Sequence, residues 1–193
     1  MKMLSLAFAF MFMMTSAGVC ADSETPATPL HLAVITGDIA AVRQHIEAGT
    51  DLNQRDDFGS TPLVIAAVFD RPEMTGALLA AGADATMRDP QGSTPLHIAA
   101  LLGRTGVVRS LLDAGVDRYA RSASGAMAFD YAAAPLPEEQ AIYDLLRSRL
   151  APIGFRLDDA EAAAAKPVIA RMLRPLPADL QGVTYAPVER ADF

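Results

Sequence analysis

Side chains able to do acid–base or metal chemistry are sparse in this sequence. Its 193 residues include three His, one Cys and no Trp. His45 has no second His and no carboxylate placed at metal-ligand spacing. Cys20 stands alone, so neither an internal disulfide nor a Cys-built zinc site can form within the chain. Two carboxylate pairs occur, Asp56-Asp57 and Asp158-Asp159. Such pairs can divide general-acid and general-base work, but neither has a partner acid, base or metal ligand beside it. The first reads as a turn and the second as a helix cap. No Ser lies in a Gly-x-Ser-x-Gly elbow, and no glycine-rich phosphate loop follows a strand. The expectation is a protein without catalytic residues, cofactor or metal.

Another set of residues is spaced for recognition. Arg55, Arg88 and Arg121 stand 33 residues apart. Stacked at one structural spacing, three guanidinium groups would form a row able to grip acidic side chains of a partner. The competing reading is local pairing, because Asp56 and Asp89 follow two of the three. The same interval runs through the chain. Thr28-Pro29-Leu30-His31-Leu32-Ala33 recurs as Thr61-Pro62-Leu63-Val64-Ile65-Ala66 and as Thr94-Pro95-Leu96-His97-Ile98-Ala99, with a decayed copy from Met127 to Ala132. Ala48-Gly49, Ala81-Gly82 and Ala114-Gly115 keep the register, as do Gly59, Gly92 and Gly125. Three interleaved series at one period identify a tandem array.

Each element of the repeat has a mechanical meaning. Thr caps a helix, and Pro follows at the first helical position, where a missing N–H costs nothing. Leu and Ala supply the buried face of a short helix. A second helix follows, as in Ile39 to Ala48 or Val107 to Ala114, and Gly49, Gly82 and Gly115 provide left-handed stops. Pro72 is expected to open the second helix of the second repeat. Ala134-Pro135-Leu136-Pro137 does the same in the fourth, with Glu138 and Glu139 at the positive end of a helix running to Leu150. In the tail, Asp158 and Asp159 are expected to cap a short helix through Ala165, and residues 167–173 to form another.

The TPLH-type helix start, the Gly-Ala-Asp loop and the Asp-x-x-Gly turn resemble the ankyrin repeat. The resemblance covers about Pro26 to Leu150. It implies an all-α solenoid of about four helix-pair repeats (26–58, 59–91, 92–124 and 125–150) with β-hairpin fingers, followed by a partly irregular C-terminal cap or extension over 151–193. The first repeat lacks a preceding finger and the last has lost Thr-Pro, as suits capping repeats. The resemblance also implies a structural hydrogen-bonding role for His31 and His97. It places ligands on a concave face made by the first helix of each repeat and the finger tips. By register, that face presents Ile35 and Thr36, Val68 and Phe69, Leu101 and Leu102, and Ala134 as exposed positions. The fingers add Asp57, Phe58, Ser60, Pro90, Gln91, Ser93, Ala123 and Ser124. The expected partner-binding set is Ile35, Arg55, Asp57, Phe58, Val68, Phe69, Arg88, Gln91, Leu101, Leu102 and Arg121. Its apolar stripe, with Phe58 and Phe69 as anchors, is of the kind that marks an interaction site.

Composition sets the remaining bounds. The net charge of −7 argues against nucleic-acid binding, which needs a basic footprint. The hydrophobic content of 51% excludes global disorder, although part of it lies in residues 1–21. There, Lys2, an apolar run from Met3 to Met14 and the small residues before Asp22 form the three-part pattern of a signal peptide cleaved after Ala21. Cys20 raises lipidation as an alternative, against which Val19 counts. The expectation is a monomer in the periplasm, or secreted, without stable membrane insertion after cleavage. It binds another protein, with support of an exported enzyme such as a catalase as the first use. Neutralising a periplasm-delivered toxin and acting as a secreted effector on a host protein are the alternatives. A remote one is a small-ligand or enzyme site in the tail near Tyr119, Tyr131 and Tyr185.

Overall fold

The computed structural model describes residues 26–134 and 139–175. The leader, the Pro135–Pro137 helix start, Tyr185 and residues 176–193 lie outside the described residues. Period 33 becomes helix register directly. The first helices are α1 (Leu30–Thr36), α3 (Pro62–Val68), α5 (Pro95–Leu101) and α7 (Ala128–Ala133). The second helices of the first three repeats are α2 (Ile39–Glu47), α4 (Pro72–Ala80) and α6 (Thr105–Asp113). Thr61 caps α3 by accepting from the Val64 N–H at 3.3 Å, and Pro62, Pro95 and Pro72 open their helices as expected. Thr28 does not cap: Pro29 holds that position and the Thr28 carbonyl instead lies 2.7 Å from His45 Nε2.

The helices form two layers. In one, α1, α3, α5 and α7 pack in sequence; in the other, α2 packs on α4 and α4 on α6. The core lies between the layers and runs the length of the stack through Val34, Val42, Leu63, Leu78, Leu96, Val107 and Leu111, all buried. Each fully buried side chain of this size contributes on the order of 2 kcal/mol. These residues meet across repeat boundaries, so the stability belongs to the stack and not to any one repeat.

The fourth repeat departs from register. The second helices of the first three repeats are capped at Asp38, Arg71 and Arg104, each 33 residues from the last. A helix does begin near the next position in register: α8 (Glu139–Leu150). It does not pair with α7. That place is taken by α9 (Asp159–Leu173), which packs on α7 and abuts α6 as α6 pairs with α5 and abuts α4. Its stripe of Ala162, Ile169 and Leu173 is buried, and Asp158 caps it by accepting from the N–H groups of Ala160 and Glu161. The segment from α8 through a 3-10 turn (Ala151–Ile153) to Leu157 is therefore an excursion inserted between the two helices of the last pair.

Two further expectations change. The tail helix is continuous through Pro167, not two short helices. Pro167 and Ala163, whose carbonyl loses its donor, are both exposed, which leaves the freed group on the solvent side of the helix. The fingers expected as β-hairpins are closed turns; among the described residues the one β-bridge joins Arg121 to Met127.

Left-handed backbone recurs between paired helices, at Gly37, Asp70 and Gly103. Asp70 has φ 55°, the one non-glycine residue with positive φ among those described, and Gly103 has φ 71°. A Cβ at Gly103 would stand 2.7 Å from the Ala162 Cα at the start of α9. Gly103→Ala is expected to cost about 3 kcal/mol, combining backbone strain with displacement of α9. Gly115→Ala, where a Cβ meets nothing within 4 Å, is expected to cost only about 1 kcal/mol. Asp70→Gly removes a mild left-handed penalty and is expected to gain up to about 1 kcal/mol. Urea unfolding of the three variants beside the parent checks the order.

Candidate interaction face

The three fingers are built alike. Asp56 Oδ1 accepts from the N–H groups of Phe58 and Ser60, and Asp89 Oδ1 from those of Gln91 and Ser93. Both carboxylates are thus spent on their own turns. The arginines are not paired with them. Arg55 Nη1 donates to the Gly59 carbonyl at 2.5 Å and to the Arg88 carbonyl at 2.7 Å. Arg88 Nη1 repeats this toward Gly92 at 2.7 Å and Arg121 at 2.6 Å, and Arg121 Nη1 donates to Gly125. The expected ladder exists, but its rungs join one finger to the next. Asp57, Phe58 and Gln91 remain exposed at the tips, Phe58 at 78%.

A second arginine pair was missed in the sequence, although its spacing is again 33. Arg71 Nη2 donates to the Ile35 carbonyl at 2.9 Å, and Arg104 Nη2 reaches the Val68 carbonyl at 3.4 Å. Each cation thereby serves the C-terminal end of the previous first helix, where unpaired carbonyls favour positive charge. Burial pulls the Arg104 guanidinium below the usual arginine range, while Asp70 and Glu161 act in the opposite direction. Arg104 also donates to the Arg156 carbonyl at 2.7 Å and sits 5.9 Å from the Phe155 ring centroid.

The first-helix positions differ along the stack. Ile35, Val68 and Phe69 are half-buried, and Leu32 is 47% exposed. Leu101 and Leu102 were expected to be exposed and are buried, at 5% and 1%. The excursion covers them. Tyr143 of α8 packs on both leucines, with Ile142, Leu146 and Leu157 around it and Val68, Ile98 and Tyr131 beneath. The Tyr143 hydroxyl donates to the Leu101 carbonyl at 2.7 Å. Burial first, and Glu139 second, raise the Tyr143 pKa, so it stays a neutral donor. Phe155 meets Phe69 edge-on at 5.9 Å between centroids, shielding the second expected anchor. Nothing in the 33-residue pattern signals this cover, because the excursion has no counterpart in the other repeats.

The histidines are structural. His97 Nδ1 accepts from the Thr94 backbone N–H and stands 2.8 Å from the Thr94 hydroxyl, while Nε2 donates to the Ala126 carbonyl at 3.0 Å. This binds the start of α5 to the finger of the next repeat. His31 Nε2 lies 2.9 Å from the Gln54 carbonyl, and His45 is buried between Thr28 and Thr50. Among the described residues no cluster of His, Cys, Asp and Glu could hold a metal. Among them, too, no helix is long and apolar enough to cross a membrane.

A family model described as ankyrin repeats (3 copies) matches two overlapping stretches, residues 10–89 and 30–122. These stretches together span more than half of the chain. No curated protein sequence matches it.

Burial lowers the His97 pKa from its ordinary value of 6.5. The unfolded chain then takes up this proton at higher pH than the folded one, so His97 contributes stability above about pH 6.5 that is lost as pH falls below it. His97→Gln is expected to flatten the decline between about pH 6.5 and 5. Denaturation midpoints of parent and variant across that range check it; parallel curves would contradict the assignment.

Proposed function

The chain belongs to the ankyrin-repeat family, whose repeats serve as protein–protein interaction modules, and on that premise we propose that it binds a partner protein on the inner face of its N-terminal half. The carrying observation is the gradient along that face: its apolar positions are most open in the first repeat, at Leu32 and Phe58, half-buried in the second, where Phe155 shields Phe69, and covered over the third. Phe58, Leu32 and Ile35 supply apolar area, with Asp57 and Gln91 at the finger tips as polar contacts. An exposed aromatic held on a braced turn is a suitable anchor, since rigid aromatics tend to carry interface energy. Arg55, Arg88 and Arg121 act here by holding the fingers in row. Leu101 and Leu102 leave the contact set while α8 is seated.

The apolar leader and the small residues before Asp22 support export, and we place the work in the periplasm. The protein contributes shape and not chemistry, and we propose support of an exported enzyme, such as a catalase, as its use. The test is capture from periplasmic extract by the immobilised chain. One protein retained in stoichiometric amount is expected, with retention reduced at least about tenfold by Phe58→Ala, as for a hot-spot aromatic. Val168→Ala, on the exposed side of α9, leaves it unchanged. Equal retention by parent and Phe58→Ala would contradict the proposed face. A retained toxin in place of an enzyme would reassign the use to immunity.

A further inference from the structure

We propose that α8 is an autoinhibitory lid: a displaceable intramolecular occupant that closes the third-repeat portion of the inner face and swings away to lengthen it. The inference rests on the reading of this face as the binding surface. It goes further in assigning the covered portion to the same surface and α8 to its control.

Connectivity makes the movement feasible. The last helix pair is closed by α9, which buries Ala162, Lys166, Ile169 and Leu173. Departure of α8 leaves that pair and the stack beneath it intact. Docking is also thin. Tyr143 is the one buried residue of α8, and Leu145 is 51% exposed on the same helix. Toward the first helices, α8 offers the Tyr143 hydrogen bond to Leu101 and a small apolar patch. An element with so few buried contacts is drawn from the low-stability end of a fold.

The ion pairs of α8 run elsewhere, to α9, while Arg104 holds the far end of the excursion at the Arg156 carbonyl. Lys166 Nζ donates to Glu139 Oε2 at 2.5 Å near the start of α8, and Arg147 pairs with Asp159 at its far side. These bonds tether α8 to the flank of the stack while allowing it to leave α5. The surface beneath is suited to the same partner. Leu101 and Leu102 occupy the register positions of Val68 and Phe69 one repeat earlier, so uncovering them extends the apolar stripe without a break.

Amide hydrogen exchange on the full chain tests the lid. Amides of α8 are expected to exchange at least about 30-fold faster than those of α5 and α9, as in local opening. Tyr143→Phe removes the hydroxyl and keeps the ring. It is expected to lower α8 protection several-fold further and leave α5 and α9 unchanged. Tyr143→Ala is expected to bind a labelled peptide of residues 139–158 at least tenfold more tightly than the parent chain, whose own α8 occupies the site. Equal protection in α8 and α5, or no peptide binding by Tyr143→Ala, overturns the lid. Either result leaves the binding-face reading standing, because Phe58-dependent capture does not require α8 to move. Independent opening of α8 without Phe58-dependent capture would remove the binding face, and the autoinhibitory role with it.

Discussion

No helix pair in this chain can bury its apolar face alone, and everything else follows from that constraint. Each of the first three pairs is seven and nine residues of helix with one apolar side, too little for a core. Stacking at a fixed interval turns these faces into one continuous interior. The interval must then be held against slippage, and two arginine series do so. Arg55, Arg88 and Arg121 tie the fingers, while Arg71 and Arg104 tie helix ends. His97 adds a third kind of tie between neighbouring repeats.

A stack also needs an end. Here the last pair is closed by a helix arriving late, and the residues in between are put to use. The in-register helix α8 carries only a small apolar patch, whereas α9 presents a longer stripe with alanines that admit the turn at Gly103. Packing therefore favours α9 as the outer helix. The displaced α8 finds its patch a place on the inner face, where Leu101 and Leu102 would otherwise lie open. Termination of the fold and control of the binding surface thus arise from one competition between two helices.

The sequence made the repeated parts legible because repetition is itself the signal. Thr61-Pro62 and Thr94-Pro95 mark helix starts that the structure reproduces, and the structural role of His31 and His97 was expected from the same motif. Arg55 and Arg88 were visible as a row, but spacing alone could not distinguish gripping a partner from gripping the next carbonyl. Leu101 and Leu102 were misplaced for a different reason. Register predicts which face a residue occupies and is silent about what a non-repeated segment lays on that face. Tyr143, Phe155 and Glu139 belong to that segment, and no periodicity announces them.

The chain covers part of its own inner face while leaving the rest accessible. Thiol labelling tests it most directly, because a Cys20→Ser background has no other cysteine. Single cysteines at Phe58 and Leu102 in that background should react very differently with an aromatic disulfide reagent. The Phe58→Cys thiol is expected to react at the rate of an unfolded control, and Leu102→Cys to be protected by at least about 100-fold under native conditions. Equal rates at the two positions in the folded chain would contradict it.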